Sequence, residues 1–247
     1  MLNFILMASV LLFLLAPLIA MCVYGYTHEG GWRPMLFGAG WMLLNTILLY
    51  LLIPMLLGSQ KWFTSIVNNT PLWAFIFTLM QCVLLFGACA LSFHNVHKKE
   101  STADDGAPHI SSEQFALVFG LSYGVMSGAI YCGFPALNAL LSNISQNAAL
   151  NAMGMSEILV ESLCMIGIYA AIAYYLEKYM RSNIRSRIVL LFLMVYILFL
   201  AGNIWGVLLQ FPSQSRLILL AATFILCAWL LKQPFLSLFH SPAGTSA

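Results

Sequence analysis

Charge is what this chain has least of. Of its 247 residues only 7% are Asp, Glu, Lys or Arg, where a soluble domain carries about 25%. So little charge cannot clothe a water-facing surface, and a sizeable soluble domain is excluded. No cysteine lies in a loop. All six (Cys22, Cys82, Cys89, Cys132, Cys164 and Cys227) fall within apolar runs, which argues against a disulfide framework or a CxxC metal site. No histidine lies in an apolar run. His28, His94, His97, His109 and His240 stand in loops or the tail, so an intramembrane histidine cluster for zinc is missing. His94 and His97 have helical ligand spacing but border a Lys-Lys pair, which marks a solvated loop. There is no HExxH, no Gly-rich phosphate loop after a strand and no pair of aspartates within the spans. No cofactor-binding pattern and no nucleic-acid surface is visible.

What remains is apolar: 62% of the chain is hydrophobic and the mean hydropathy is +0.91. Runs of about 20 apolar residues, enough to cross a bilayer, predict an all-α polytopic membrane protein. Seven spans are expected, at 3–25, 35–57, 71–93, 114–137, 156–176, 188–209 and 217–236. They form one transmembrane domain over 1–237, with a short cytoplasmic tail over 238–247. The first span lacks a basic leader and reads as an uncleaved helix. With the N-terminus outside, Arg33, Lys98, Lys99, Lys178, Arg181, Arg185, Arg187 and Lys232 face inward, against Lys61 and Arg216 outside. That split satisfies the positive-inside rule and puts the C-terminus inside. Two N-x-[ST] sequons, at Asn68 and Asn143, fall in loops placed outside. The longest inner loop, about 94–113, is polar and reads as a flexible linker.

Within the fourth span, FGLSYGVMSGAI sets Gly120, Gly124 and Gly128 four apart. Glycine weakens a helix by about 1 kcal/mol relative to alanine. Among lipid tails, however, small residues let helix backbones approach closely. The stripe continues as Ala116, Cys132 and Ala136, drifting about 40° per step. It offers a groove for a helix of this chain or of a partner. Ser122 and Ser127 have two options, a bond across helices or one to their own preceding turn. Pro135 is expected to kink or end the helix. Asn45, Gln81, Asn138, Asn203, Tyr169 and Tyr196 are polar groups within spans. Of the acids only Glu157 and Glu161 enter a span, four apart on one helix face. Three roles are open to them: a helix-start carboxylate beside a wet vestibule, an outer-side contact, or a catalytic pair.

The stretch ISSEQFALVFGLSYGVMSG, 110–128, resembles the anterior-pharynx-defective family, the multi-pass scaffold subunit of gamma-secretase. That family carries GxxxGxxxG in its fourth span, written GLSFGxxSG after an I-S-x-x-Q run. The matching positions are Ile110, Ser111, Gln114, Gly120, Leu121, Ser122, Gly124, Ser127 and Gly128. NALLSN at 138–143 falls where the family has a leucine-rich end. The resemblance implies seven spans, an outside N-terminus and no catalysis. It also implies a presenilin-like catalytic subunit and a nicastrin-like subunit as partners. It departs from the family at two intramembrane histidines, near whose places Tyr169 and Tyr196 stand. The runner-up is the wider superfamily of YhfC-type putative intramembrane peptidases, whose acidic pair is missing from LLFGACALSF. A small-molecule transporter is a third expectation, with Glu157 and Glu161 lining its path. The membrane would be an endomembrane or plasma membrane in a eukaryote, and the inner membrane in a bacterium.

Overall fold

The computed structural model describes residues 2–28, 30–100, 111–134, 137–138, 152–182 and 213–239. Every element within them is helical: α1 (Leu2–Thr27), α2 (Trp32–Leu57), α3 (Lys61–Asn68), α4 (Thr70–Glu100), α5 (Ser112–Gly128), α6 (Ala152–Ser182) and α7 (Ser213–Phe239). Four of them contain stretches long and apolar enough to cross a membrane: Trp32–Leu57, Phe75–His94, Ser112–Tyr131 and Val160–Lys178. The expected sixth span, 188–209, lies outside the described residues.

Local chemistry sets the helix ends. Gly30, at φ 79°, makes the turn between α1 and α2, a left-handed conformation that costs other residues a Cβ clash. Ser111 caps α5, its hydroxyl accepting the Gln114 N–H at 3.2 Å. The S-x-x-Q run of the resemblance thus sits where a capping box belongs. In α2 and α5 the helix widens to a π turn, over Leu48–Leu52 and Ala129–Gly133. The π turn of α2 is followed by Pro54. A proline ring clashes with the carbonyl four residues back, here that of Tyr50, and a wider turn moves that carbonyl aside. The Tyr50 ring meets that of Tyr131 at 5.6 Å. The kink expected at Pro135 lies outside the described residues.

Two elements differ from the sequence reading. The third span runs on as helix to Glu100, past the expected edge of the inner loop. The link between spans two and three is itself a short helix, α3. Phe63 is buried there against Trp73, ring centroids 5.6 Å apart.

The contacts give each helix a direction. Met35 and Tyr50 of α2 lie beside Ser122 and Tyr131 of α5, so these two run parallel. Phe93 packs on Phe119 and Phe77 on Tyr50, so α4 runs the other way. Gly120 faces Ala170 and Gly128 faces Ser162, so α5 and α6 are antiparallel. Gly167 faces Cys227 and Tyr175 bonds Leu230, so α6 and α7 are parallel. Arg33, Lys178 and Lys232 therefore collect at one end, and Lys61 at the other. The core sits on α5 and α6: their apolar stretches are each 67% buried, against 22% for α2.

Candidate functional site

Helix α5 is sandwiched between α2 and α6, and its glycines face α6. A methyl group on Gly120 would lie 2.6 Å from the Tyr169 carbonyl oxygen and 2.7 Å from Ala170 Cα. On Gly124 it would lie 2.6 Å from Ile166 Cα. On Gly128 it would collide with the Ser162 hydroxyl. Contacts under 3.0 Å are essentially never made by a real Cβ, so at Gly120 and Gly124 the two backbones are too close for any side chain. The groove is occupied by this chain's own α6. That is the reason a membrane helix can bear three glycines: close backbone packing offsets the lost helicity. The facing positions 162, 166 and 170 repeat the same four-residue step, so the two helices mesh as ladders.

The two serines behave differently. Ser122 points away from the glycine face, and its hydroxyl donates to the Met35 carbonyl of α2 at 2.6 Å. Beside it Gly38 packs so tightly that a methyl there would strike the Phe119 carbonyl. Ser127 is buried, with no hydrogen-bond partner among the described residues. The string Gly120-Leu121-Ser122-Tyr123-Gly124 also reads as G-x-S-x-G. A nucleophile elbow needs a sharp strand-to-helix turn that exposes the serine. Here the serine is mid-helix, buried and committed to a carbonyl, so it is no nucleophile.

A polar cluster lies toward the C-terminal end of α5. Asn45 Nδ2 donates to the Tyr123 hydroxyl at 2.7 Å, and the Tyr123 ring packs on Tyr169 at 4.8 Å. The Tyr131 hydroxyl interacts with Thr46, Tyr50 and Gln81. Tyr169, near the family's first histidine position, is therefore a buried member of an aromatic cluster on three helices. At the opposite end of α5, the Tyr174 hydroxyl donates to Glu113 Oε2 at 3.3 Å. This ties the first turn of α5 to α6.

Of the acidic pair, Glu161 is partly buried on α6, one residue from the Ser162 that Gly128 faces. Glu157 lies on the same helix, and its side chain is outside what is described. The acid that sequence reading passed over is Glu177, placed at a span edge but 0% exposed in the structure. Its position four residues beyond Ala173, on the core face of α6, was the available signal. Among the described residues no group of His, Cys, Asp and Glu has the arrangement of a metal site. The chain matches no family model, no curated protein and no solved structure.

Proposed function

We propose that this chain is a seven-span, non-catalytic scaffold subunit of a gamma-secretase-like intramembrane protease complex, lying with its N-terminus outside and its C-terminus inside. The observation that carries the reading is the glycine ladder. Two of the three glycines that make the resemblance, Gly120 and Gly124, are positions at which α5 meets the backbone of α6 without room for a side chain, and the third, Gly128, faces the Ser162 hydroxyl. The motif thus has a physical reason to be the most specific part of the chain.

The seven-span topology has support of its own. Two neighbouring membrane helices joined in sequence can run parallel only if the chain between them crosses back. The parallel α6 and α7 therefore favour a further crossing within 183–212. The gathering of Arg33, Lys178 and Lys232 at one end supports that end as the inner one. The glycines act within the subunit, holding α5 and α6 as a stiff unit on which the outward faces of the other helices are displayed to a presenilin-like catalytic subunit and a nicastrin-like subunit. The membrane is an endomembrane or plasma membrane in a eukaryotic host, and the inner membrane in a bacterial one.

The test is purification of tagged protein from native membranes in mild detergent. The expected result is co-purification of a di-aspartyl membrane protein. Gly124→Leu should lower abundance and recovered partner in parallel, because it breaks the fold rather than a docking face. Recovery of the normal protein alone, stable and abundant, would overturn the scaffold reading.

A further inference from the structure

Where α6 and α7 run side by side toward their C-terminal ends, they leave a cavity of about 420 Å³. Its wall carries Tyr174, Tyr175 and Lys178 from α6, and Trp229, Lys232 and Gln233 from α7. Both lysines are exposed. The wall is held in shape by a bond whose cause lies in the sequence. Pro234, within α7, has no N–H to give the Leu230 carbonyl four residues back. The Tyr175 hydroxyl donates to that carbonyl instead, at 3.1 Å. The cavity is thus built by a cross-helix bond as well as by two cations happening to be near.

Its position selects the ligand. Lys178 ends the apolar stretch of α6, so it stands at the level of the lipid headgroups. Tyrosine and tryptophan concentrate at that level, ring in the apolar layer and polar atom in water. Earlier on the same face of α7, Trp229 and Ile225 are exposed, at 71% and 67%. That apolar strip gives acyl chains a surface to lie on. Basic pockets between membrane helices hold anionic headgroups in this way. Among the described residues, Glu113 of α5 accepts from Tyr174 and Glu177 is buried in the core.

We propose that this cavity binds the phosphate of one anionic phospholipid, with Lys178 and Lys232 as its cations, Gln233 as a neutral donor and Trp229 against the upper acyl chain. The site is independent of the scaffold reading, so either can fail without the other.

The test is native mass spectrometry of the full-length protein released from detergent, with phosphatidylglycerol and phosphatidylcholine supplied in equal amounts. The normal protein should keep one phosphatidylglycerol in preference to phosphatidylcholine. Each cation near the membrane surface is worth about 1 kcal/mol. Lys178→Gln or Lys232→Gln alone should therefore weaken retention roughly fivefold, and the pair roughly thirtyfold. Lys178→Arg with Lys232→Arg should keep it. Arg33→Gln, at the same end but outside the cavity, should change nothing. Inorganic phosphate should not displace the lipid at comparable concentration. If it does, the site takes a soluble phosphate and the lipid assignment is overturned. Equal retention by the normal protein and the double glutamine variant, or equal retention of the two lipids, would also overturn it.

Discussion

Substituting alanine at Gly124 tests the core of this structure, because the offending atoms cannot move aside on their own. The new methyl would lie 2.6 Å from Ile166 Cα, 3.1 Å from its carbonyl oxygen and 3.2 Å from that of Met165. All three are backbone. Ordinary contact begins at 3.4 Å, so α6 has to retreat by 3.4 − 2.6 = 0.8 Å. A gap of that size forfeits roughly a quarter to a half of each dispersion contact along the seam. Overpacking of this kind costs about 1–3 kcal/mol, and alanine returns about 1 kcal/mol of helix propensity. The net loss is at most about 2 kcal/mol, or a fall in Tm of up to roughly 8 °C. Gly120→Ala should do at least as much harm, with neighbours at 2.6, 2.7 and 2.8 Å. Gly128→Ala should be nearly harmless, since the obstacle is the Ser162 hydroxyl, which rotates. Gly40 and Gly87 have nothing within 4 Å, so alanine there should stabilise by about 0.5–1 kcal/mol. A thiol-reactive dye followed on heating reads the series, because Cys89 is a buried thiol that unfolding exposes. The reasoning fails if Gly128→Ala is as damaging as Gly124→Ala, or if Gly124→Ala behaves like Gly40→Ala.

Three further outcomes are expected. Tyr175→Phe should cost about 1–3 kcal/mol by orphaning the Leu230 carbonyl. In a Pro234→Ala background, where the helix supplies its own donor, most of that cost should vanish; an unchanged cost in the double variant refutes the assignment. Tyr123→Phe and Asn45→Ala should each lose about 0.6–2 kcal/mol, and together little more than either alone. Additive melting losses would show that their 2.7 Å bond does not couple them. In a cysteine-free background, Gln60→Cys should react with an impermeant maleimide on intact cells and Gln233→Cys only after permeabilisation. The reverse pattern would invert the membrane orientation.

The helical character and four apolar stretches long enough to cross a membrane were legible in hydropathy alone, because a bilayer requires about 20 apolar residues per crossing and little else produces such runs. The α5 cap went unread, although Ser111 and Gln114 are a local pattern acting on local backbone. The glycine stripe was visible, but its occupant was not. A row of small residues is equally open to a helix of the same chain or of another, and only the matching ladder at Ser162, Ile166 and Ala170 distinguishes the two. Ser122 and Ser127 looked alike in sequence and differ because they lie on different faces of the helix. Hydropathy missed α3, which is too short to register in a window sized for a membrane crossing. It placed Glu177 at a span edge, where the structure also has it, but could not show that the carboxylate is buried, because hydropathy does not record which way a side chain faces.

The opposed directions of the helix pairs also impose an order on biogenesis. Helices α5 and α6 are antiparallel and close in sequence, so their ladder can close as a hairpin once both have left the insertion machinery. Contacts of short sequence separation need little loop entropy and form early. Helix α7 follows α6 in the chain and cannot seat on it until the residues between them have been made. During that interval the Gly167 face of α6, which α7 covers through Cys227, stands open to lipid. The nascent chain thus passes through a stage with a finished glycine seam and an unfinished flank.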